Sequence, residues 1–331
     1  MQQALSPVLN KILKATSRAF YLSLAILPAR PRRALSLAYL LARGADSIAD
    51  SPDSPIDVKK NCLDHLLAAI NGDAQPFFDS LASVDSAHLG ERRLLENFPA
   101  ILQELEQSEA QERESIVRVV TILISGMMWD QERFQGQESE LAGLSSTELE
   151  EYTYLVAGCV GPFWSKICAH GDPKLSHLSS VENLEVALEF GKGLQWVNIL
   201  RDIPKDQTFG RYYLPYINHY EFRQRFMESS YRALAALKSA TKYPQLYPLL
   251  YCRNKIAVFL PLVLGLRTLE KLYCAGGPKV GVRVKVTRTE VLLWSTFAGI
   301  IVSHKKLLGS ILNYLYSRTE SSLLKLESRL V

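Results

Sequence analysis

The stretch PRRALSLAYLLARGADSIAD, residues 31–50, places Leu37, Leu40, Leu41, Ala45 and Ile48 three or four positions apart. That spacing winds one apolar stripe along an α-helix and predicts a core helix here. The same stretch ends with Asp46 and Asp50, one turn apart, and Arg43 precedes them by a turn. Carboxylates are seldom buried without a partner. A core helix that carries two of them therefore calls for positive charge beside it.

The three-and-four spacing recurs outward along the chain. It is found in KKNCLDHLLAAI (59–70), ERRLLENFPAILQELEQ (91–107), RESIVRVVTILISGMMWDQERF (113–134), STELEEYTYLVAGCVGPFWSKICAH (146–170), VENLEVALEFGKGLQWVNILRDI (181–203), IAVFLPLVLGLRTLEKLY (256–273) and TRTEVLLWSTFAGIIVSHKKLLGSILNYL (287–315). Only VGVRVKV (280–286) alternates as a strand would. The fold class expected is all-α. The breaks SPDSPID, GLSSTELEE and CAGGPK are turn and capping signals rather than interdomain linkers. One continuous helical domain over 1–331 is the expected organisation.

Composition narrows the function. Of 331 residues 47% are hydrophobic and 22% charged, a globular balance, and a net charge of +4 is too mild to point to nucleic acid. Cys62, Cys159, Cys168, Cys252 and Cys274 are odd in number, form no CxxC pair and follow no secretory signal, so free thiols in a reducing cytoplasm are expected. No segment reaches the roughly 18 apolar residues of a membrane span. Attachment to the inner membrane surface stays open. The six histidines show no zinc-ligand spacing.

The acidic spacing occurs twice. In GLQWVNILRDIPKDQTFGRYYLP (193–215) a second helical pattern ends with Asp202 and Asp206, preceded by Gln195, Asn198 and Arg201. On a helix each pair shares a face. Like charges there repel unless a cation lies between them, and Mg²⁺ takes such oxygen ligands together with substrate phosphate. The expected metal ligands are Asp46, Asp50, Asn198, Asp202 and Asp206, with the positive charge, Mg²⁺ and arginine, completed when a phosphorylated substrate arrives.

With these residues in place the chain resembles the squalene and phytoene synthases, which join two isoprenoid diphosphates head to head. Ser17, Arg18 and Phe20 match a first motif, and Tyr39, Arg43, Asp46 and Asp50 a second. YTYLVAGCVG (152–161) is a third; Gln195, Asn198, Arg201, Asp202 and Asp206 form the fourth. The resemblance covers about 16–290 and leaves 291–331 as a helical extension. Thr153 replaces a common cysteine, and Pro204 interrupts the fourth motif, where a kink at Ile203 is expected.

The resemblance implies a helical bundle around a central apolar cavity and a farnesyl diphosphate substrate. Ser17, Arg18, Arg43, Gln195, Asn198, Arg201 and Arg283 are then candidates for the diphosphate, with Tyr39, Arg43, Tyr152 and Arg201 acting on the reaction. Phe20, Val156, Ala157, Gly158, Val160 and Gly161 are candidates for the apolar channel, the glycines allowing close approach of a ligand or another helix. The wording RDIPKD…GRYYLP resembles bacterial squalene synthases more than phytoene synthases, which implies NADPH as reductant. Lys285 and Arg288, in the basic run with Lys279 and Arg283, are the candidates for its extra phosphate. A phytoene or dehydrosqualene synthase would need no hydride. A one-substrate terpene cyclase would lack the tyrosine motif, and a helical scaffold at a membrane surface would not need arginines beside paired carboxylates.

Overall fold

The computed structural model describes residues 5–17, 20–51, 54–84, 89–134, 143–214 and 218–330. Arg18 lies outside them, as does Pro215. The contacts divide the chain into two compact units, Met1–Arg133 and Phe134–Val331.

The first unit contains α1 (Pro7–Ser17), α2 (Phe20–Ile26), α3 (Ala29–Ala49), α4 (Ile56–Ile70), α5 (Gln75–Leu81), α6 (Leu89–Glu96) and α7 (Phe98–Glu106), and most of α8 (Ala110–Phe134). The stripe predicted for 31–50 is the buried face of α3: Leu37, Leu40, Leu41 and Ile48 are inaccessible to solvent. Gly44 belongs to that face because the Phe98 ring fills the place of its missing Cβ. Phe98 packs in turn on Phe77, with ring centroids 5.1 Å apart. Arg33 is buried on α3 and satisfied by Glu104 at 2.9 Å and Glu112 at 3.0 Å. Gln131 Nε2 donates to the Ala49 carbonyl at 2.8 Å, serving one of the acceptors that the end of α3 leaves over.

The second unit contains α9 (Ser146–Thr153), a π-helical turn (Tyr154–Gly158), α10 (Val160–Ala169), a 3₁₀ turn (Pro173–Ser179), α11 (Val181–Gln207), α12 (His219–Ala240), α13 (Tyr243–Leu246), α14 (Cys252–Cys274), α15 (Arg288–Ser303) and α16 (Lys305–Leu330). The capping signal before α9 is realised in full. Ser145 accepts from the Glu148 N–H, and the Glu148 side chain accepts from the Ser145 N–H at 2.8 Å. VGVRVKV forms no strand; Lys279 and Val282 make an isolated antiparallel bridge in the loop before α15. Pro204 does not end the fourth motif's helix, since α11 remains helical through Gln207. The missing N–H falls in the last turns, so Asp202 and Asp206 keep their i, i+4 relation.

Helix α11 is approached closely by the third motif. A Cβ at Gly161 would overlap the Ala187 carbonyl, and one at Gly191 would overlap the Ala157 carbonyl. The glycines let two backbones cross where side chains would hold them apart. Among the described residues no helix is long and apolar enough to cross a membrane.

Candidate active site

In the first unit the acidic motif is at the C-terminal end of α3, with Asp50 as the capping residue. The negative end of the helix dipole and two carboxylates meet there, which favours a cation. Arg43 supplies one. Its guanidinium binds both Asp46 and Glu91, the latter on α6. Burial opposes the Arg43 charge, yet Asp46 and then Glu91 raise its pKa above the ordinary guanidinium value. The Asp46 side chain is 37% exposed and Asp50 is exposed, so both can be reached from solvent.

Tyr39 of the second motif and Ser17 of the first are engaged with backbone. The Tyr39 hydroxyl donates to the Thr16 carbonyl at 3.0 Å, and its ring is 5.5 Å from that of Phe20. The buried Ser17 hydroxyl donates to the Leu13 carbonyl, so its proton is not turned toward a diphosphate.

In the second unit Asp202 is only 13% exposed and carries two arginines. Arg201 Nε donates to it at 2.9 Å. Arg283 reaches it from the loop before α15, at 3.1 Å from Nε and 3.3 Å from Nη2. Burial pushes the Asp202 carboxyl up, but the hydrogen bond and charge of Arg201, joined by Arg283, hold it below the usual aspartate range. Asn198 donates to the Gln195 amide oxygen at 3.3 Å. The counter-charge expected to arrive with the substrate is thus partly built in: Arg43, Arg201 and Arg283 already sit on the carboxylates.

Tyr152 has a partner that the motif did not disclose. Its hydroxyl lies 2.8 Å from that of Tyr213, and the two rings stack with centroids 4.9 Å apart. Both are buried. Tyr213 is delivered by the turn after α11. Gly210, at φ 71°, reverses the chain, and the Arg211 N–H donates to the Asp206 carbonyl at 3.0 Å. Asp206 and Tyr213 are therefore held by one short segment.

The third motif's residues divide. Val156, Ala157 and Val160 are half-buried, but Gly158 and Gly161 face α11, with Lys192 packed on the first and Ala187 on the second. The space beside these glycines belongs to a helix and not to a channel. Lys192 joins Glu150, Glu189 and Arg232 in a half-buried network in which Arg232 binds Glu189 at 2.9 and 3.0 Å. Glu91 and the long-range part of this network escaped sequence reading because Arg43 and Glu91 are 48 positions apart, and Lys192 and Glu150 are 42 apart. Lys285 and Arg288 are exposed.

The donor set fits Mg²⁺. Among the described residues no three His, Cys, Asp or Glu side chains gather as a metal cage. A pair of carboxylates is nonetheless what Mg²⁺ uses when waters and phosphate oxygens complete its shell. Thiolate chemistry is disfavoured for the buried cysteines, because burial pushes Cys62 and Cys168 up to about 11 and Cys159 up to about 12.

Comparison with known proteins decides the family. The family described as squalene/phytoene synthase matches residues 13–217, which include all four motifs. The chain belongs to this family. The squalene synthase of Schizosaccharomyces pombe is 28% identical over 211 residues, 62% of this chain and 43% of that protein. The 15-cis-phytoene synthase of Synechocystis sp. is 29% identical over 206 residues, 60% of this chain and 52% of that protein. The chain thus aligns with about half or less of these relatives' length. Two solved structures share the fold. A TcSQS complex with the ligand E5700 has a TM-score of 0.69 at 15% identity, covering 96% of this chain and 98% of that one. A liganded dehydrosqualene synthase has a TM-score of 0.57 at 16% identity, covering 88% and 93%. This squalene/phytoene synthase family member is therefore an all-α prenyltransferase-family protein whose fold likeness extends well past the matched motifs.

Proposed function

We propose that the protein condenses two farnesyl diphosphates head to head to presqualene diphosphate and then, with NADPH, converts it to squalene. The observation that carries the first part is the pairing of arginine with each Asp-x3-Asp motif at the end of a long helix. Asp46, Asp50, Asn198, Asp202 and Asp206 would hold Mg²⁺, which stabilises the negative charge on a departing diphosphate.

Arg43, Arg201 and Arg283 exchange their carboxylate partners for phosphate oxygens when substrate binds; guanidinium suits both. The Tyr152–Tyr213 pair gives a buried phenol a second phenol to donate to or accept from. Tyr152 can then present a proton or a lone pair to the reacting chain without leaving the other hydroxyl unpaired. The allylic cation must be kept from water, and the half-buried Val156, Ala157 and Val160 are the apolar side chains we assign to that task.

Formation of phytoene or dehydrosqualene without reduction is the second reading. It is favoured by relatives of both kinds at nearly equal identity. The test is incubation of the full chain with farnesyl diphosphate and Mg²⁺, with and without NADPH, followed by product identification. Presqualene diphosphate alone without NADPH, and squalene with it, is the result expected. A product indifferent to NADPH overturns the reductive step, and absence of pyrophosphate release overturns the prenyl transfer itself.

A further inference from the structure

Helices α15 and α16 lie beyond the part of the chain matched by the family, and the pair carries large apolar side chains that are exposed. On α15, Leu292 is 67% exposed, Phe297 51% and Ile300 58%. Trp294, Leu307, Ile311 and Tyr314 continue the patch into a groove of about 560 Å³ between the two helices. Large side chains exposed together in this way mark a docking surface rather than ordinary surface scatter.

The charge around the groove identifies the occupant. Residues 279–306 contain Lys279, Arg283, Lys285, Arg288, Lys305 and Lys306 against the single acid Glu290. That acid is already held by Arg267 at 2.9 Å and by Lys271. Lys285 and Arg288 stand at the start of α15, and Lys305 and Lys306 just past its end, all exposed. The apolar face is therefore basic at both ends of a helix roughly 24 Å long. A second copy of the same face would set cation against cation in either orientation of a two-fold pair. A bilayer containing anionic lipid supplies an apolar interior and a negative surface at once.

We infer that the α15–α16 face docks the protein on an anionic lipid surface, lying in the interface without crossing it. Leu292, Phe297 and Ile300 enter the acyl boundary, while Arg288, Lys305 and Lys306 meet headgroup phosphates. Phe297, Ile300, Lys305 and Lys306 are not among the residues assigned to metal, diphosphate or nucleotide, and occupancy of the surface is read without substrate, so it stands or falls independently of the proposed reaction.

The experiment is sedimentation of the full chain with vesicles of phosphatidylcholine alone or mixed with phosphatidylglycerol. Binding to the mixed vesicles, weakened by salt and about tenfold or more weaker on phosphatidylcholine, is expected. The double variant Phe297→Ser/Ile300→Ser removes apolar contact and lowers partitioning on the order of a hundredfold. Because both side chains are exposed, its thermal unfolding should match the parent. Lys305→Gln/Lys306→Gln keeps the apolar face and costs about tenfold. Wild-type protein that stays in the supernatant with every vesicle, or variants that sediment like the parent, overturns the inference. So does a lipid-independent dimer, seen by analytical ultracentrifugation, that Phe297→Ser/Ile300→Ser dissolves.

Discussion

Asp46 and Asp202 open the same Asp-x3-Asp spacing, each near the C-terminal end of a long buried helix, yet their surroundings differ. Asp46 is 37% exposed and shares Arg43 with Glu91, whereas Asp202 is 13% exposed and holds both Arg201 and Arg283. Removal of the Asp46 carboxylate leaves Arg43 a second partner; removal of the Asp202 carboxylate leaves Arg201 and Arg283 without the acceptor that joins them. Identical spacing therefore does not mean identical energetics. The first motif is accessible to a ligand at small structural cost, and the second is also part of what holds the loop before α15 to α11.

The largest predicted effect concerns both motifs alike. If each holds metal, Asp46→Asn and Asp202→Asn should each lower kcat/KM for farnesyl diphosphate on the order of a hundred- to a thousandfold. Steady-state kinetics at saturating Mg²⁺ measures it. Loss confined to one variant would break the symmetry of function and leave a single metal motif.

A comparably large effect on stability is expected where the motif helices are approached by a neighbour. Gly161→Ala drives a methyl group into the Ala187 backbone on α11, whereas Gly44→Ala drives one into the Phe98 ring, which can turn aside. Gly161→Ala should cost about 3 kcal/mol and Gly44→Ala about 1–2 kcal/mol. Urea denaturation of both checks the order; equal costs would mean that the α10–α11 crossing yields as easily as an aromatic ring.

Much of the fold was legible because helical spacing is local. The stripe on α3, the capping box at Ser145 and Glu148, and both acidic pairs all rest on residues within a few turns of one another. Pro204 lies inside α11, three residues before its end, where it removes a hydrogen bond without ending the helix. The partners Glu91 and Tyr213 were not legible. They are 48 and 61 positions from Arg43 and Tyr152, and no periodicity links such distances. The π-helical turn at Tyr154–Gly158 was equally silent, because one inserted residue leaves the apolar pattern almost unchanged.

A smaller effect tests whether Tyr213 contributes through Tyr152. Tyr213→Phe keeps the stacked ring and deletes one hydroxyl from a buried pair 2.8 Å apart. A fall in kcat of about tenfold with KM unchanged is expected, against about a hundredfold for Tyr152→Phe. The double variant should be no worse than Tyr152→Phe alone, because the two hydroxyls act as a unit. Additive losses would assign Tyr213 a separate role.

The smallest effect sharpens the comparison of the two motifs in the absence of substrate. Asp202 is held below its ordinary aspartate pKa in the folded chain, despite burial, by Arg201 and Arg283. A carboxylate with a depressed folded pKa contributes stability that is fully present above its unfolded value, near 3.9, and is lost as pH falls through the folded value. Asp202→Asn should therefore lower the Tm at pH 6–8, by an amount corresponding to about 1–2 kcal/mol, since Arg283 is partly solvated. The gap between parent and variant should stay constant down to about pH 5 and close as the solution is acidified below about pH 4. Asp46→Asn, which leaves Arg43 paired with Glu91, should show a smaller gap throughout. Thermal melts of the three proteins across pH 3–8 measure both gaps, and equal gaps would mean that the second arginine on Asp202 adds nothing to the fold.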